Sequence, residues 1–582
     1  MSTAAVHTPL RIAIGLSGGV DSAVTALVLS RCVHTTADVA ALHRLGGAHA
    51  QPPPLSALQA AIDARQPLHQ LLRVRPPRSS SSSSGDGGRV LHDARPVHYT
   101  PVFVRCWQDE STSAGWCVRA QAEYDDAQRV ARALELLPSD AAPLPLHDLS
   151  CAYAELCFQR MLDAFAAGDT LNVDVLCNSK VKFGELLRAL HRVDAPSGAA
   201  PLLATGHYAR TWVPPWCGVD GGASSALLVR PLTAGSDLND QTVFLSRVPP
   251  STLAHAVFPL GHLVACKADV RALAHSFFGR CGGGAAAHIS CKKTSTGICF
   301  VGPPPRGAAV PSHFAGFLNE YIAPPPSSTA APDRTRFRDA TTGETLWWLE
   351  GAAEGRRHGS AGAALRADYP GCLPAYLLTL GQRVRLRRHS AAEHGGQVRE
   401  APYYVARKTL APLPPATPGS DGVGVVRVLA EVDVVPVWDH PLLYSSRATV
   451  ASLRWWLPPW VLHRCSTLCP ERRVRRLRCH CCTRHQEPLQ LATVEWAVAD
   501  ECVDGGDDGV RVRHARVHFA VAVRAIAVGQ ALVVYASLAA LVQIAQPGDD
   551  PLPVHARPAS AAAMAVIGSG WVASGEPPPH RP

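Results

Sequence analysis

The chain has 582 residues, enough for two or three domains each with its own core. Hydrophobic residues at 47% against 18% charged exclude a disordered chain, and no unbroken apolar run approaches the ~20 residues that cross a bilayer, so no membrane partner is expected. Lys and Arg outnumber Asp and Glu by 56 to 47, a mild basic excess that is compatible with a phosphate-rich partner but is not evidence for one.

Taken in order, Arg11-Ile-Ala-Ile-Gly-Leu16 predicts a short strand, and Ser17-Gly-Gly-Val-Asp-Ser22 follows at once. Val20, Ala23, Val24, Leu27 and Val28 then recur on one face of a helix. Strand, glycine turn and helix together open a parallel α/β sheet. From about 35 to 98 the chain reads as a low-complexity insertion, because Pro52-Pro-Pro54 and the serine run Ser79 to Ser84 dominate it. A second strand is expected at Val102-Phe-Val104, a helix from about Asp125 to Leu137, and a further strand at Leu202-Leu-Ala-Thr205 ending at Gly206-His-Tyr208. From about residue 340 short β-rich runs dominate (402–405, 424–429, 512–523, 532–535), which predicts a barrel.

Two glycines at a strand-to-helix turn let backbone N–H groups approach a phosphate closely, and the helix N-terminus adds partial positive charge. No Lys-Ser/Thr follows the glycines, so this is not a Walker loop. Asp21 beside phosphates fits a carboxylate that holds Mg²⁺ or orients the loop. Eighteen Cys are scattered rather than regularly spaced, and no secretory leader pattern precedes them, which predicts mostly free thiols in a reducing compartment. Cys465, Cys469, Cys479, Cys481, Cys482 and His485 cluster in sequence, but their spacing fits no zinc finger or ribbon, so no metal is expected. Glu471 to Arg478 reads as a strand with a basic face, and Arg383 to Arg388 as a second basic stripe.

The Ser-Gly-Gly-Val-Asp-Ser segment resembles the PP-loop of enzymes that split ATP into pyrophosphate and an adenylated acceptor. Two cysteine segments narrow the resemblance: Gly168-Asp-Thr-Leu-Asn-Val-Asp-Val-Leu-Cys177-Asn-Ser-Lys-Val-Lys-Phe-Gly184 and Lys293-Thr-Ser-Thr-Gly-Ile-Cys299-Phe-Val-Gly302. Both are similar to the catalytic-cysteine segments of the tRNA-specific 2-thiouridylase family. Colinear matches follow at Thr205 to Arg210, Asp237 to Leu245, Thr379 to Arg383, Arg524 to Gln530 and Gly568 to Trp571.

The resemblance implies a PP-loop α/β domain over 1–255, a central domain over 256–335 carrying the persulfide cysteine, and a tRNA-binding β-barrel over 336–582. It implies that ATP adenylates a uridine C2 oxygen, wobble uridine by family habit, and that a cysteine persulfide then supplies sulfur. Cys299 would carry the persulfide and Cys177 would be its partner, the two ending as a disulfide. Gly15, Leu16, Ser17, Gly18, Gly19, Val20, Asp21, Ser22, Val104 and Gly206 would bind ATP with Mg²⁺. Asn172, Val173, Asp174, Asn239, Asp240 and Gln241 would approach tRNA, and a cysteine desulfurase or relay protein would donate sulfur. A catalytically degenerate tRNA-binding homologue and another PP-loop ligase are the alternatives, although Asp21, Cys177 and Cys299 are all retained. The family's Thr-Pro-Asn-Pro-Asp reads Thr170-Leu-Asn-Val-Asp174 here, losing two stiffening prolines. Insertions suggest a eukaryotic source, hence mitochondrion or plastid, with the cytoplasm expected if the short N-terminus is complete.

Overall fold

The computed structural model describes residues 8–43, 52–72, 95–107, 118–194, 200–217, 225–232, 240–280, 286–292, 314, 318, 321–322, 334–350, 375–388, 399–410, 428–503, 509–544 and 563–576. Five parallel strands form the first sheet: β1 (Leu10–Gly15), β2 (Val97–Arg105), β3 (Leu146–Asp148), β4 (Leu202–Ala204) and, past the hairpin β5 (Arg210–Trp212) and β6 (Leu227–Val229), β7 (Ala256–Val257). Their order is β3-β2-β1-β4-β7, so the chain steps outward to one side of β1 and then to the other. That reversal opens a crevice beyond the carboxyl ends of β1 and β4, the usual ligand position in such sheets. Helix α1 (Val20–Cys32) packs on β1 through Val20, Ala23, Val24, Leu27 and Val28, all buried, as the spacing predicts.

The stretch from 35 to 98 departs from expectation. Part of it forms three helices, α2 (Thr36–His43), α3 (Leu55–Asp63) and α4 (Leu68–Leu71), and Leu42, Leu58, Ile62 and Leu68 join the core under α1. The polyproline and polyserine tracts masked a helical repeat of apolar residues between them. The serine run lies outside the described residues. Helix α5 (Val118–Ala133) begins earlier than the expected Asp125 and stops before Leu137.

The boundary expected at 255 falls inside the first sheet, because β7 pairs with β4. Helix Lys267–Phe278 and the turn Ala287–Cys291 also bury Val270, Leu273, Phe277 and Ile289 in the α1 core. The segment from 336 onward is two β units. An open sheet holds β8 (Arg334–Asp339), β9 (Thr345–Glu350), β10 (Arg383–Arg388), β11 (Arg399–Leu410) and β12 (Val428–Val435) in the order β10-β11-β12-β8-β9. A barrel follows from β13 (Tyr444–Trp455), β15 (Val474–Cys482), β16 (Gln490–Ala497), β18 (Val510–Arg524), β19 (Ala531–Ser537) and β20 (Met564–Glu576), with β14 (Thr467–Cys469) and β17 (Glu501–Val503) alongside. Pairing of β13 with both β18 and β20 closes it into six strands. Alternating burial along β16 and much of β18 places one set of side chains inside, as a barrel wall requires.

The barrel joins the first sheet's module through Ala565 of β20 paired with Val229 of β6, and through a shared core. A separate core links the helical segment from Tyr153 to Val181 with Phe337, Leu386, Val405 and Val432 of the open sheet. Among the described residues no helix is long and apolar enough to cross a membrane.

Candidate active site

The loop from Gly15 to Ser22 turns at the carboxyl end of β1. Gly18 sits at φ +68, and a Cβ there would lie 2.3 Å from the Glu123 carbonyl oxygen, so only glycine fits. Ser22 pins the turn: its hydroxyl donates to the Gly19 carbonyl at 3.0 Å and accepts from the Ser17 amide at 3.1 Å. Gly206, just past β4, approaches the first turn of α1 so closely that a Cβ would meet the Asp21 carbon and the Ser22 nitrogen at 2.8 Å. The N-terminus of α1 thus lies against the end of β4, and its first amides have no acceptor within the helix itself. Val104 lies near the carboxyl end of β2, half-buried.

Cations gather at this loop. Lys267 Nζ reaches both Asp21 carboxylate oxygens at 2.5 Å, and the Tyr208 hydroxyl donates to one of them at 2.5 Å. Lys292 Nζ donates to the Gly18 carbonyl at 2.9 Å and to Asp126 at 2.5 Å, and His288 also meets Asp126, at 2.8 Å. Burial alone would raise the Asp126 carboxyl, but the hydrogen bonds from Lys292 and His288 outweigh it and hold it below the usual carboxylate range. Lys267, Lys292 and Asp126 escape a reading of the loop alone. The one sequence hint is Lys292-Lys293, directly before the second cysteine segment.

Asn172 caps the short helix Val173–Leu176, its side-chain oxygen accepting from the Asp174 amide at 3.1 Å. Cys177 follows and opens a stretch of π-helix, Cys177–Leu186, a rare geometry that concentrates at functional sites. Its thiol is buried and hydrogen-bonded to Cys106, the second residue after Val104. That hydrogen bond, aided by Lys182, pulls the Cys177 thiol below its ordinary range against the effect of burial, which favours the thiolate. Burial raises the Asp174 carboxyl, with Lys182 opposing. Val173 is buried in the core shared with the open sheet.

The segment before Asn172 is gripped from outside. The Thr170 amide donates to the Val528 carbonyl at 2.8 Å, Gln530 Nε2 donates to the Thr170 carbonyl at 2.5 Å, and Lys408 Nζ donates to the Gly168 carbonyl at 2.5 Å. Asp240 and Gln241 point to internal partners instead of an open face. Asp240 pairs with the buried Arg230 at 2.5 Å and accepts from Thr242, while Gln241 Oε1 accepts from the Tyr208 amide at 3.0 Å. Asn239 and Cys299, and with Cys299 the expected disulfide, lie outside the described residues. Cys479, Cys481 and Cys482 are buried barrel residues, and no group of three metal-binding side chains forms among the described residues.

A family model described as the tRNA methyl transferase HUP domain matches residues 86–303. Curated relatives share much more of the chain. It is 27% identical over 439 residues to the tRNA-specific 2-thiouridylase MnmA of Chlamydia pneumoniae, covering 75% of this chain and 86% of the relative. To the enzyme of the same name from Nitrosomonas eutropha it is 30% identical over 355 residues, covering 61% and 72%. The chain belongs to the tRNA-specific 2-thiouridylase family. The matches to 2-thiouridylases include Bacillus subtilis MnmA, 33% identical over 233 residues, or 40% of this chain and 51% of that one. The PP-loop sheet and barrel expected of a 2-thiouridylase are both present.

Proposed function

We propose that this protein is a tRNA uridine 2-sulfurtransferase that uses ATP and a cysteine persulfide. The observation that carries the reading is the pairing of two chemistries at the carboxyl ends of one parallel sheet. A glycine loop follows β1, and the stretch after β2 supplies Cys106 to a thiolate-favouring Cys177.

ATP suits the loop: Gly18 and Gly206 let the backbones of Glu123 and of the first α1 turn close around it, and Lys267 and Lys292, which hold Asp21, Asp126 and the Gly18 carbonyl, are the cations there that would meet phosphate charge. Asp21 is the loop carboxylate that would hold Mg²⁺, and the ion would offset charge on the phosphates. Uridine's C2 oxygen attacks the α-phosphorus, which makes it a phosphate ester and releases pyrophosphate. The outer sulfur of a Cys299 persulfide then attacks C2. Cys177 attacks the inner sulfur, so that the S–S bond breaks, AMP leaves and a Cys177–Cys299 disulfide remains. Asp174, whose carboxyl burial favours protonated, is placed two turns or less from Cys177 to hold or pass a proton. Sulfur would come from a desulfurase or relay protein carrying a persulfide.

The tRNA would lie across exposed basic strands. Arg476 and Arg478 of β15 and Arg513 and Arg516 of β18 are exposed on the outer barrel wall, and Arg383 and Arg385 are exposed on β10. Their contribution to binding would fall with added salt.

Thiolation of unmodified tRNA transcripts with ATP and a persulfide donor tests the reading. Wild type is expected to form 2-thiouridine only with ATP, and Cys177→Ser and Cys299→Ser to lose it. Folded, ATP-binding wild type that makes no 2-thiouridine would overturn it.

A further inference from the structure

Open sheet and barrel meet along a seam, and one aromatic side chain stands exposed on it. The chain leaves β12 at Val435, turns through Pro436 to Leu443 and enters β13 at Tyr444. In that turn Trp438 is 56% exposed, although tryptophan is usually well covered. A single exposed apolar residue would need no explanation of its own. What marks Trp438 is how it is held. The Arg524 guanidinium, at the end of β18, lies 4.4 Å from the Trp438 ring centroid and 5.9 Å from that of Tyr404 on β11. Arg524 Nε also donates to the Trp438 carbonyl at 2.9 Å. The turn is tied down behind the ring: the Leu442 amide donates to His440 Nδ1 at 3.2 Å, and the Ala525 amide to the Leu443 carbonyl at 2.6 Å.

Arg524 covers one face of the indole, so the exposure belongs to the opposite face and the ring edges. A flat, fixed aromatic face backed by a guanidinium is a surface on which an unpaired nucleobase stacks. The surrounding charge favours RNA over protein. Arg383 pairs across from Tyr404 in the β10–β11 ladder, and both Arg383 and Arg385 are exposed. Between Pro436 and Leu443 the sole acidic residue is Asp439. The seam also leads to the active site. A cavity of about 600 Å³ is lined by Leu442 and Leu443, by Ala525 next to Arg524, and by Gly168 and Thr170 of the segment before Asn172. The chain from Arg524 to Gln530, whose side chain donates to the Thr170 carbonyl, is at most about 20 Å long when extended. A short single-stranded stretch of RNA spans that distance.

We propose that Trp438, backed by Arg524, is a stacking platform for an unpaired base of the tRNA loop that carries the target uridine. This rests on the sulfurtransferase reading above. Arg383 and Arg385 hold phosphates of the same strand, whereas Trp438 adds a contact that carries no charge and that salt does not screen.

The test measures binding of an unmodified tRNA transcript to the full-length protein over a series of salt concentrations, with ATP affinity and thermal midpoint as controls. Trp438→Ala is expected to weaken tRNA binding about tenfold. The slope of log Kd against log salt stays as in wild type, because no phosphate contact is lost. Trp438→Phe recovers most of the affinity, and Arg383→Ala weakens binding with a slope smaller by about one. Ultraviolet irradiation of the wild-type complex is expected to crosslink RNA to the peptide that contains Trp438, a readout that needs no variant. Unchanged tRNA affinity in Trp438→Ala, or crosslinks elsewhere with none at that peptide, would overturn the proposal. A loss of affinity that comes with a lower thermal midpoint and is not recovered by Trp438→Phe would make the residue structural and also overturn it. Normal tRNA binding with thiolation impaired only when a protein donor supplies sulfur would assign the surface to that donor instead. Wild type that binds tRNA through Trp438 but makes no 2-thiouridine would sink the sulfurtransferase reading and leave the platform standing, and wild type that binds no tRNA would sink both.

Discussion

Single atoms decide the behaviour of the nucleotide loop. A methyl group at Gly18 would force a left-handed residue to carry a Cβ and drive it into the Glu123 carbonyl. Gly18→Ala is therefore expected to lose about 2 kcal/mol or more of stability, read by urea denaturation, together with most ATP-dependent pyrophosphate release. Retention of both would mean that the loop has another conformation. At Cys177 the donor from Cys106 stabilises the thiolate, so Cys106→Ala removes that help. The pH midpoint for alkylation of Cys177 is expected to move upward in the variant, and an unchanged midpoint would place the effect with Lys182. The glycine loop was legible in the sequence because strand, turn and helix follow one another locally, whereas the segment of Cys299 lies outside the described residues. Lys267 and Cys106 were not legible, since each reaches the site from a part of the chain distant in sequence and carries no local signature, and Lys292 had only its neighbour Lys293 as a hint.

Among the elements, the segment before Asn172 shows how the β units serve the catalytic helix. Without the two prolines of the family pattern, its rigidity comes from Gln530, the Val528 carbonyl and Lys408. Gln530→Ala removes one of these hydrogen bonds at a stability cost of about 1 kcal/mol. Thiolation kcat is expected to fall about tenfold while ATP affinity holds, a pattern that disruption of the loop itself would not produce. Asp38 plays the corresponding part in the insertion: its carboxylate accepts from the His34, Thr35 and His69 amides and meets the His69 ring at 2.7 Å. Burial would raise this carboxyl, but those hydrogen bonds hold it below its usual 3.8. The stability it contributes is thus complete above about pH 4 and is lost as the pH falls below that. Asp38→Ala leaves several amides unpaired and is expected to speed hydrogen exchange across α2, α3 and α4 throughout neutral pH. Composition hid these helices. Pro52 to Pro54 before α3 and the serine run after α4 outweighed the i, i+3, i+7 run of Leu55, Leu58 and Ile62.

For the whole molecule, three cores meet around the site, and the junction between the first sheet and the barrel contains buried charge. His43, half-buried, and His262, buried, lie together near Arg210, and the half-buried His207 sits beside Phe183 and Phe258. Burial lowers His43 to about 4 and His207 to about 3, and puts His262 well below its ordinary 6.5. An unfolded chain takes up protons near pH 6.5 where the folded one refuses them, so stability falls as pH drops from about 6.5 toward 4. The thermal midpoint at pH 5 is expected several degrees below that at pH 7.5, and equal midpoints would show these rings already solvated. The barrel was foreseen from alternating strands, whereas the separate open sheet was not, because strand periodicity says nothing about which strand pairs with which. The pairing of β20 with β6 and β13 has one further consequence, for synthesis. Hairpin β5–β6 leaves the ribosome about 330 residues before its partner strand, a wait on the order of tens of seconds at ordinary elongation rates. Through that interval the nascent hairpin carries an open strand edge and uncovered apolar surface, which makes it the natural place for a chaperone to hold the growing chain.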